Sequence, residues 1–311
     1  MADVQPLGQS GLSTPRLVLG GNVFGWTVKG EEAFSILDRF AEAGGLMIDT
    51  ADVYSNWVPG HQGGESETVI GEWLKRRGGA KGVAIATKVG YDEGLSAATI
   101  HKGVDASLKR LGVEAIDLYY AHKDDPKTPL EETLRAFGAL VRAGKVRAIG
   151  ASNYSAERLS DALAISEREG LARYTVLQPE YNLMSRDKYE GAVQDLCVTR
   201  GLGVLPYFGL ASGFLTGKYR SEADTGKSVR GGRMAAYLNE RGQRVLAALD
   251  DVAAETGASQ AQVALAWLAA RPGVTAPIAS ATSVAQLDEL LGVMTLELSV
   301  DQVRHLTEAS S

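Results

Sequence analysis

Short apolar runs rich in β-branched and aromatic residues recur along the chain at 16–21, 45–49, 83–88, 115–122, 146–152, 174–178, 203–207 and 274–279. Between most of them the apolar positions follow a 3.6-residue period, at 31–43, 65–77, 97–111, 130–143, 155–168 and 188–200, the spacing of alternating strands and amphipathic helices. Eight such runs interleaved with helices predict an α/β protein, a (β/α)8 TIM barrel. Ser96, Ser155 and Ser259 stand where helices should start, and Gly144, Gly170 and Gly201 where they should stop. Two stretches break the repeat. Residues 4–15 read as a small N-terminal β-hairpin around Gly8 and Gly11, placed to cover the barrel's bottom. Ahead of the eighth strand the chain lengthens, with a Gly-, Ser- and charge-rich loop at 218–233 followed by helical patterns at 239–256 and 258–270. No linker-like composition divides the chain, so residues 1–311 are expected to form one barrel domain.

Composition narrows the chemistry. With 45% apolar and 23% charged residues, the 311-residue chain is neither disordered nor membrane-spanning in pattern. A net charge of −6 gives nucleic acid or an anionic membrane no general attraction, so neither is expected as a partner. The one cysteine, Cys197, and four scattered histidines offer no disulfide and no metal-ligand spacing, so no metal is expected. The first ten residues lack a basic end followed by an apolar run, which makes the cytoplasm the expected location.

Catalytic groups of such barrels come from the C-terminal ends of strands. Here the second run ends in Asp49 and continues to Tyr54, the third ends in Lys88, and the fourth in His122. Each alone has a structural reading, as a helix cap, a snorkelling lysine, a packed tyrosine or a satisfied core histidine. An acid, a lysine and a histidine on three consecutive strands would instead converge on one mouth.

The segments that carry these residues resemble the aldo-keto reductase superfamily over essentially the whole chain. They are Ile-Asp-Thr-Ala-Asp-Val-Tyr at 48–54, Thr87-Lys88, Leu-Tyr-Tyr-Ala-His at 118–122, Gly-Ala-Ser-Asn-Tyr at 150–154, Gln-Pro-Glu-Tyr-Asn at 178–182 and Leu-Thr-Gly-Lys-Tyr at 215–219. Residues 54–74 look like a bacterial branch related to potassium-channel β-subunits and aryl-alcohol dehydrogenases. The resemblance implies hydride transfer from a nicotinamide to an aldehyde or ketone, with Tyr54 as the proton donor. A neighbouring Lys88 ammonium is expected to lower the phenol's pKa, Asp49 to keep the lysine charged, and His122 to orient the carbonyl through a hydrogen bond.

The resemblance also implies that Ser152, Asn153 and Gln178 hold the carboxamide of the cofactor and that Tyr207 stacks on its ring. Phosphates would lie along residues 210–218, including Leu210, Ser212 and Lys218, with Ser280, Thr282 and Gln286 beyond the eighth strand. The family usually has an arginine at the place of Thr282 and an asparagine near Leu290. NADP(H) is the expected cofactor, with Arg233 or Arg230 replacing the missing charge, and NAD(H) stays open. No strand-linked GxGxxG and no P-loop occurs in usable form. Phe24, Trp26, Trp57 and Tyr91 are expected to line an apolar pocket for a small-molecule carbonyl substrate. Two other functions fit the same residues: a nucleotide-sensing regulatory subunit with slow turnover, and a Schiff-base aldolase using Lys88.

Overall fold

The computed structural model describes residues 4–227 and 231–311. Strands β1 (Gln5–Pro6) and β2 (Ser13–Thr14) pair antiparallel as the N-terminal hairpin. The main sheet is parallel and runs β3 (Val18–Gly20), β4 (Met47–Asp49), β5 (Ala84–Val89), β6 (Ile116–Ala121), β7 (Val146–Ser152), β8 (Tyr174–Gln178) and β9 (Gly203–Val204), with β10 (Ile278–Ala279) beside β3. Its edges meet: Thr275 N donates to Val204 O at 2.8 Å and Ile278 N to Pro206 O at 2.9 Å, which closes the ring as a (β/α)8 barrel requires.

Helices α1 (Gly30–Glu42), α2 (Glu65–Arg77), α3 (Ala97–Leu111), α4 (Leu130–Arg142), α5 (Ala156–Glu169), α6 (Ala192–Arg200), α7 (Glu240–Thr256), α8 (Gln260–Ala269), α9 (Val284–Leu291) and α10 (Val300–Ala309) accompany the strands. Ser96, Ser155 and Ser259 accept the capping N–H bonds of α3, α5 and α8. Gly170 and Gly201 end their helices with left-handed backbone, and Gly144 does so one residue past the end of α4's cap.

Departures from the sequence pattern have local causes. The strand expected at 203–207 is regular only to Val204: Leu205 N and Tyr207 N still donate to Leu177 O at 3.0 Å and Pro179 O at 2.9 Å, but Pro179 has no N–H to return on the β8 side and Pro206 has none on the β10 side. The helix expected from 188 starts at Ala192, after Gly191 at φ 87°. The long loop before β10 is not featureless: 3₁₀ turns occupy Ala211–Thr216, Glu222–Lys227 and Gly231–Tyr237.

Strand alternation sorts the core into two layers. Leu19, Ile48, Ile85, Tyr119, Ile149 and Leu177 face the helices. Val18, Met47, Ala86, Leu118, Tyr120, Ala148 and Val176 fill the barrel, and Leu7 of the hairpin joins them, so the hairpin plugs the barrel. At Gly150 a Cβ would come within 2.6 Å of the Tyr120 ring, so the glycine makes room for that ring inside the barrel. One further step of the same period-2 alternation, from Met47, Ala86, Tyr120 and Val176, brings Asp49, Lys88, His122 and Gln178 to the interior at the strands' C-terminal ends.

Candidate active site

Past Asp49 the ladder continues into the next loop: Thr50 N donates to Ala86 O at 2.8 Å and Asp52 N to Lys88 O at 3.2 Å. The loop is therefore fixed to β5, and Tyr54 comes to Lys88. All three Lys88 N–H bonds are used, to Asp49 Oδ2 at 2.7 Å, Thr50 O at 2.6 Å and Tyr54 Oη at 3.2 Å. Asp49 Oδ1 accepts from Gln178 Nε2 at 2.8 Å. Burial pulls the Lys88 pKa down, but Asp49 and Tyr54 outweigh it and the net shift is upward, so the ammonium stays charged.

Tyr54 departs from expectation. Lys88 does favour its phenolate, yet burial is the larger effect and the phenol's pKa is raised rather than lowered. Its oxygen accepts from Lys88, which leaves its own hydrogen to point elsewhere. The His122 ring lies 6.1 Å from the Tyr54 ring, centroid to centroid. Only 7% exposed, His122 has its pKa pushed well below the ordinary value, by burial first and then by Lys88 and Lys123. It is neutral at pH 7, and its Nδ1 is buried without a protein partner.

Ser152, Asn153, Gln178 and Tyr207, the residues expected to meet a cofactor's carboxamide and ring, belong to one network with His122. Ser152 Oγ donates to Gln178 O at 2.8 Å, Asn153 Nδ2 to His122 O at 3.0 Å, and Tyr207 Oη to Asn153 Oδ1 at 2.7 Å. Beyond it Phe208, Ala211, Ser212 and Gly213 have positive φ, in a turn where Ala211 N donates to Phe208 O at 2.7 Å and Gly213 N to Leu210 O at 2.8 Å. Leu210 sits within this loop, and a Cβ at Gly213 would lie 3.9 Å from Lys218 Nζ. Gly209 packs near Ile278 O of β10, whose end carries Ser280, and Ser280 Oγ donates to Asn22 Oδ1 at 2.7 Å. Thr282 spends its N–H and its hydroxyl on Gln286 Oε1, both at 2.9 Å. Arg220 is engaged by Asp250, while Arg230 and the side chains of Lys227 and Arg233 lie outside the described residues.

On the substrate side one expectation is corrected. Phe24 is wholly buried in the layer between barrel and helices, so it packs the core and does not line a pocket. Trp26, Trp57 and Tyr91 do gather at the mouth. Trp57 lies 5.5 Å from Trp26 and 5.9 Å from Tyr54, and Tyr91 lies 4.8 Å from His122, ring to ring. Trp57 is 48% and Tyr91 43% exposed.

A charged cluster behind Lys88 has no signal in the sequence pattern. Glu67 of α2, wholly buried, accepts from Thr87 Oγ1 and Arg110 Nε, each at 2.6 Å. Asp52 faces this cluster with Oδ1 buried and without a partner, and burial, then Glu67, raise its pKa to about 7. Its folded pKa exceeds its ordinary value of 3.8, so between those values the native state binds more protons than the unfolded chain, and stability falls as pH rises. Asp52→Asn abolishes that slope. The variant should gain on the order of 2–3 kcal/mol relative to wild type on going from pH 5 to pH 8, from two pH units at about 1.4 kcal/mol each. Urea unfolding at both pH values measures this, and an equal difference at the two would refute the buried-proton account.

Among the described residues no group of three or more His, Cys, Asp or Glu side chains could hold a metal ion, and no helix is long and apolar enough to cross a membrane. Residues 16–311 match the family model described as the Aldo/keto reductase family. The chain is 36% identical to a probable voltage-gated potassium channel subunit beta of Oryza sativa subsp. japonica, covering 91% of this chain and 88% of that one. It is 35% identical to the uncharacterized oxidoreductase YrpG of Bacillus subtilis, covering 97% and 94%, and 30% identical to the aldo-keto reductase AFTS1 of Alternaria alternata, covering 97% and 90%.

Proposed function

Because the chain belongs to the aldo/keto reductase family, we propose that it is an NAD(P)H-dependent oxidoreductase that reduces aldehydes or ketones to alcohols, with Tyr54 as general acid. The observation that carries this reading is the Lys88–Tyr54 hydrogen bond, in which the phenol oxygen accepts and its proton is left for a carbonyl oxygen at the mouth. A bound nicotinamide nucleotide would supply the hydride to the carbonyl carbon. Tyr54 gives the proton to the oxygen, and solvent restores it, so one carbonyl, one hydride and one proton make one alcohol. Neutral His122 orients the carbonyl oxygen through an N–H bond, and Asp49 keeps Lys88 charged.

The network of Ser152, Asn153, Gln178 and Tyr207 fits a carboxamide and a flat ring, and the loop at 208–213 with Lys218 fits phosphates. With its hydroxyl on Gln286, Thr282 gives a 2′-phosphate little to hold. NADP(H) remains the proposed cofactor on the strength of Arg233, with NAD(H) accepted more weakly. Thr282→Arg should tighten NADPH at least fivefold and leave NADH within twofold, since a charge-assisted hydrogen bond contributes about 1.5–3 kcal/mol. Fluorescence titration with both nucleotides checks this. The deciding experiment for the function is a panel of aldehydes and ketones assayed with NADPH and NADH. Steady oxidation of either nucleotide at micromolar to millimolar carbonyl is expected, and its absence throughout would sink the enzymatic reading.

A second reading is favoured by the potassium channel subunit beta among the relatives. In a nucleotide-sensing subunit the same residues would support one slow turnover, with oxidised nucleotide retained for minutes, which single-turnover fluorescence would reveal. Aldolase chemistry has less support, because a charged Lys88 with three hydrogen bonds is a poor nucleophile. The net charge of −6 supports a small-molecule partner over nucleic acid or membrane, and a cytoplasmic single-domain protein is the corresponding proposal.

A further inference from the structure

Lys123 follows His122 directly and is half-buried at the mouth, its Nζ 4.5 Å from the centroid of the Tyr91 ring. That ring in turn lies 4.8 Å from the His122 imidazole, so the ammonium is one aromatic ring away from the group proposed to hold the carbonyl. Acidic residues follow both Lys123 and Tyr91 in sequence, yet each of them bonds another group. Asp92 accepts from Asn56 Nδ2, and Glu93 pairs with Lys102. Asp124 is gripped by Arg158 through both oxygens, and Asp125 caps Leu95 N and binds Thr128 Oγ1. Among the described residues no carboxylate pairs with Lys123.

A half-buried ammonium held on an aromatic face without a counter-ion is incompletely solvated, and an anion arriving from solvent would be attracted to it. The other lysine here, Lys88, is already matched by Asp49. Of the two lysines, the one left without a carboxylate partner among the described residues is therefore Lys123, at the rim rather than at the reacting atoms.

The geometry points to Lys123 as a specificity determinant that selects carbonyl substrates carrying a carboxylate remote from the carbonyl, the flat body of the molecule lying along Tyr91 and Trp57. This rests on the proposed carbonyl reduction at Tyr54 and adds the substrate class to it. Lys123 touches the far end of the substrate and takes no part in the proton or hydride step.

The test compares 4-formylbenzoate with its methyl ester, which have nearly the same shape and differ in charge. In wild type the ratio of kcat/KM for the acid to that for the ester should fall about tenfold on Lys123→Met, mainly through KM for the acid. It should fall further in Lys123→Glu and return in Lys123→Arg. The wild-type ratio should also shrink as salt is raised, because a rim charge is screened. A ratio that is the same in wild type, Lys123→Met and Lys123→Glu overturns the inference. Should no carbonyl be reduced with either nucleotide, the oxidoreductase reading fails and Lys123 is judged by binding alone. Quenching of tryptophan fluorescence by 4-formylbenzoate should then report weaker binding to Lys123→Met than to wild type, and equal affinity overturns the proposal.

Discussion

Tyr54→Phe should reduce turnover of a good aldehyde by at least two orders of magnitude while the protein still folds and still binds nucleotide. The substitution keeps the ring, its 5.9 Å approach to Trp57 and its 6.1 Å approach to His122, and deletes the phenol proton proposed to reach the carbonyl oxygen. General acid catalysis contributes about 10²–10⁴ in rate, which sets the expected loss. Lys88 keeps two of its three acceptors, Asp49 and Thr50 O, so the stability cost is about 1 kcal/mol, the net worth of one hydrogen bond. The pH profile of the wild type follows from the same groups. Burial keeps Tyr54 protonated beyond its ordinary pKa and His122 neutral below its ordinary one, so kcat/KM should be flat between pH 6 and pH 9. Near-native turnover in Tyr54→Phe, with a wild-type profile that breaks near pH 6.5, would move the acid to His122.

The part of the site that is legible in the sequence is the part that depends on period. Alternation along a buried strand is a strict rule, and a polar residue two places beyond an interior apolar one must enter the same space. Met47–Asp49, Ala86–Lys88, Tyr120–His122 and Val176–Gln178 obey it together, which is why strand pattern alone brings four side chains far apart in the chain to one mouth. Convergence from outside the strands follows no such period. Glu67 reaches Asp52 from α2 and Arg110 reaches Glu67 from α3, so the cluster behind Lys88 is a product of helix docking. Phe24 departs from its expected place for a related reason, since a loop aromatic among glycines has the pattern of pocket lining although the chain folds it beneath the surface. Charge balance is equally hidden from the pattern. The ammonium beside Tyr54 is visible in the sequence, but the depth of burial that outweighs it is not, and Lys123 has the pattern of an ordinary exposed residue after a strand.

Lys88→Met should destabilise the fold by about 3–5 kcal/mol, the scale for removing one partner of a buried ion pair and stranding the other. Asp49 would keep only Gln178 as a donor, and Thr50 O would lose its 2.6 Å partner, in a space closed to water by Tyr120 and the strand ends. The Lys88 pKa is raised in the folded state, so the stability its charge contributes is fully present below its ordinary value of 10.5 and is lost only as pH rises through the higher folded value. The deficit of Lys88→Met should therefore be constant from pH 6 to pH 9. Asp49→Asn in the same background removes the stranded charge, and the double variant should recover at least half of the loss, a coupling that denaturant titration of all four proteins measures. Reduction should stay below about 1% of wild type in the double variant, because the phenol then has neither its ammonium neighbour nor a donor holding its oxygen. Additive effects of the two substitutions would show that Asp49 and Lys88 are stabilised by other groups. Restored activity in the double variant would show that the lysine's charge was never needed at Tyr54.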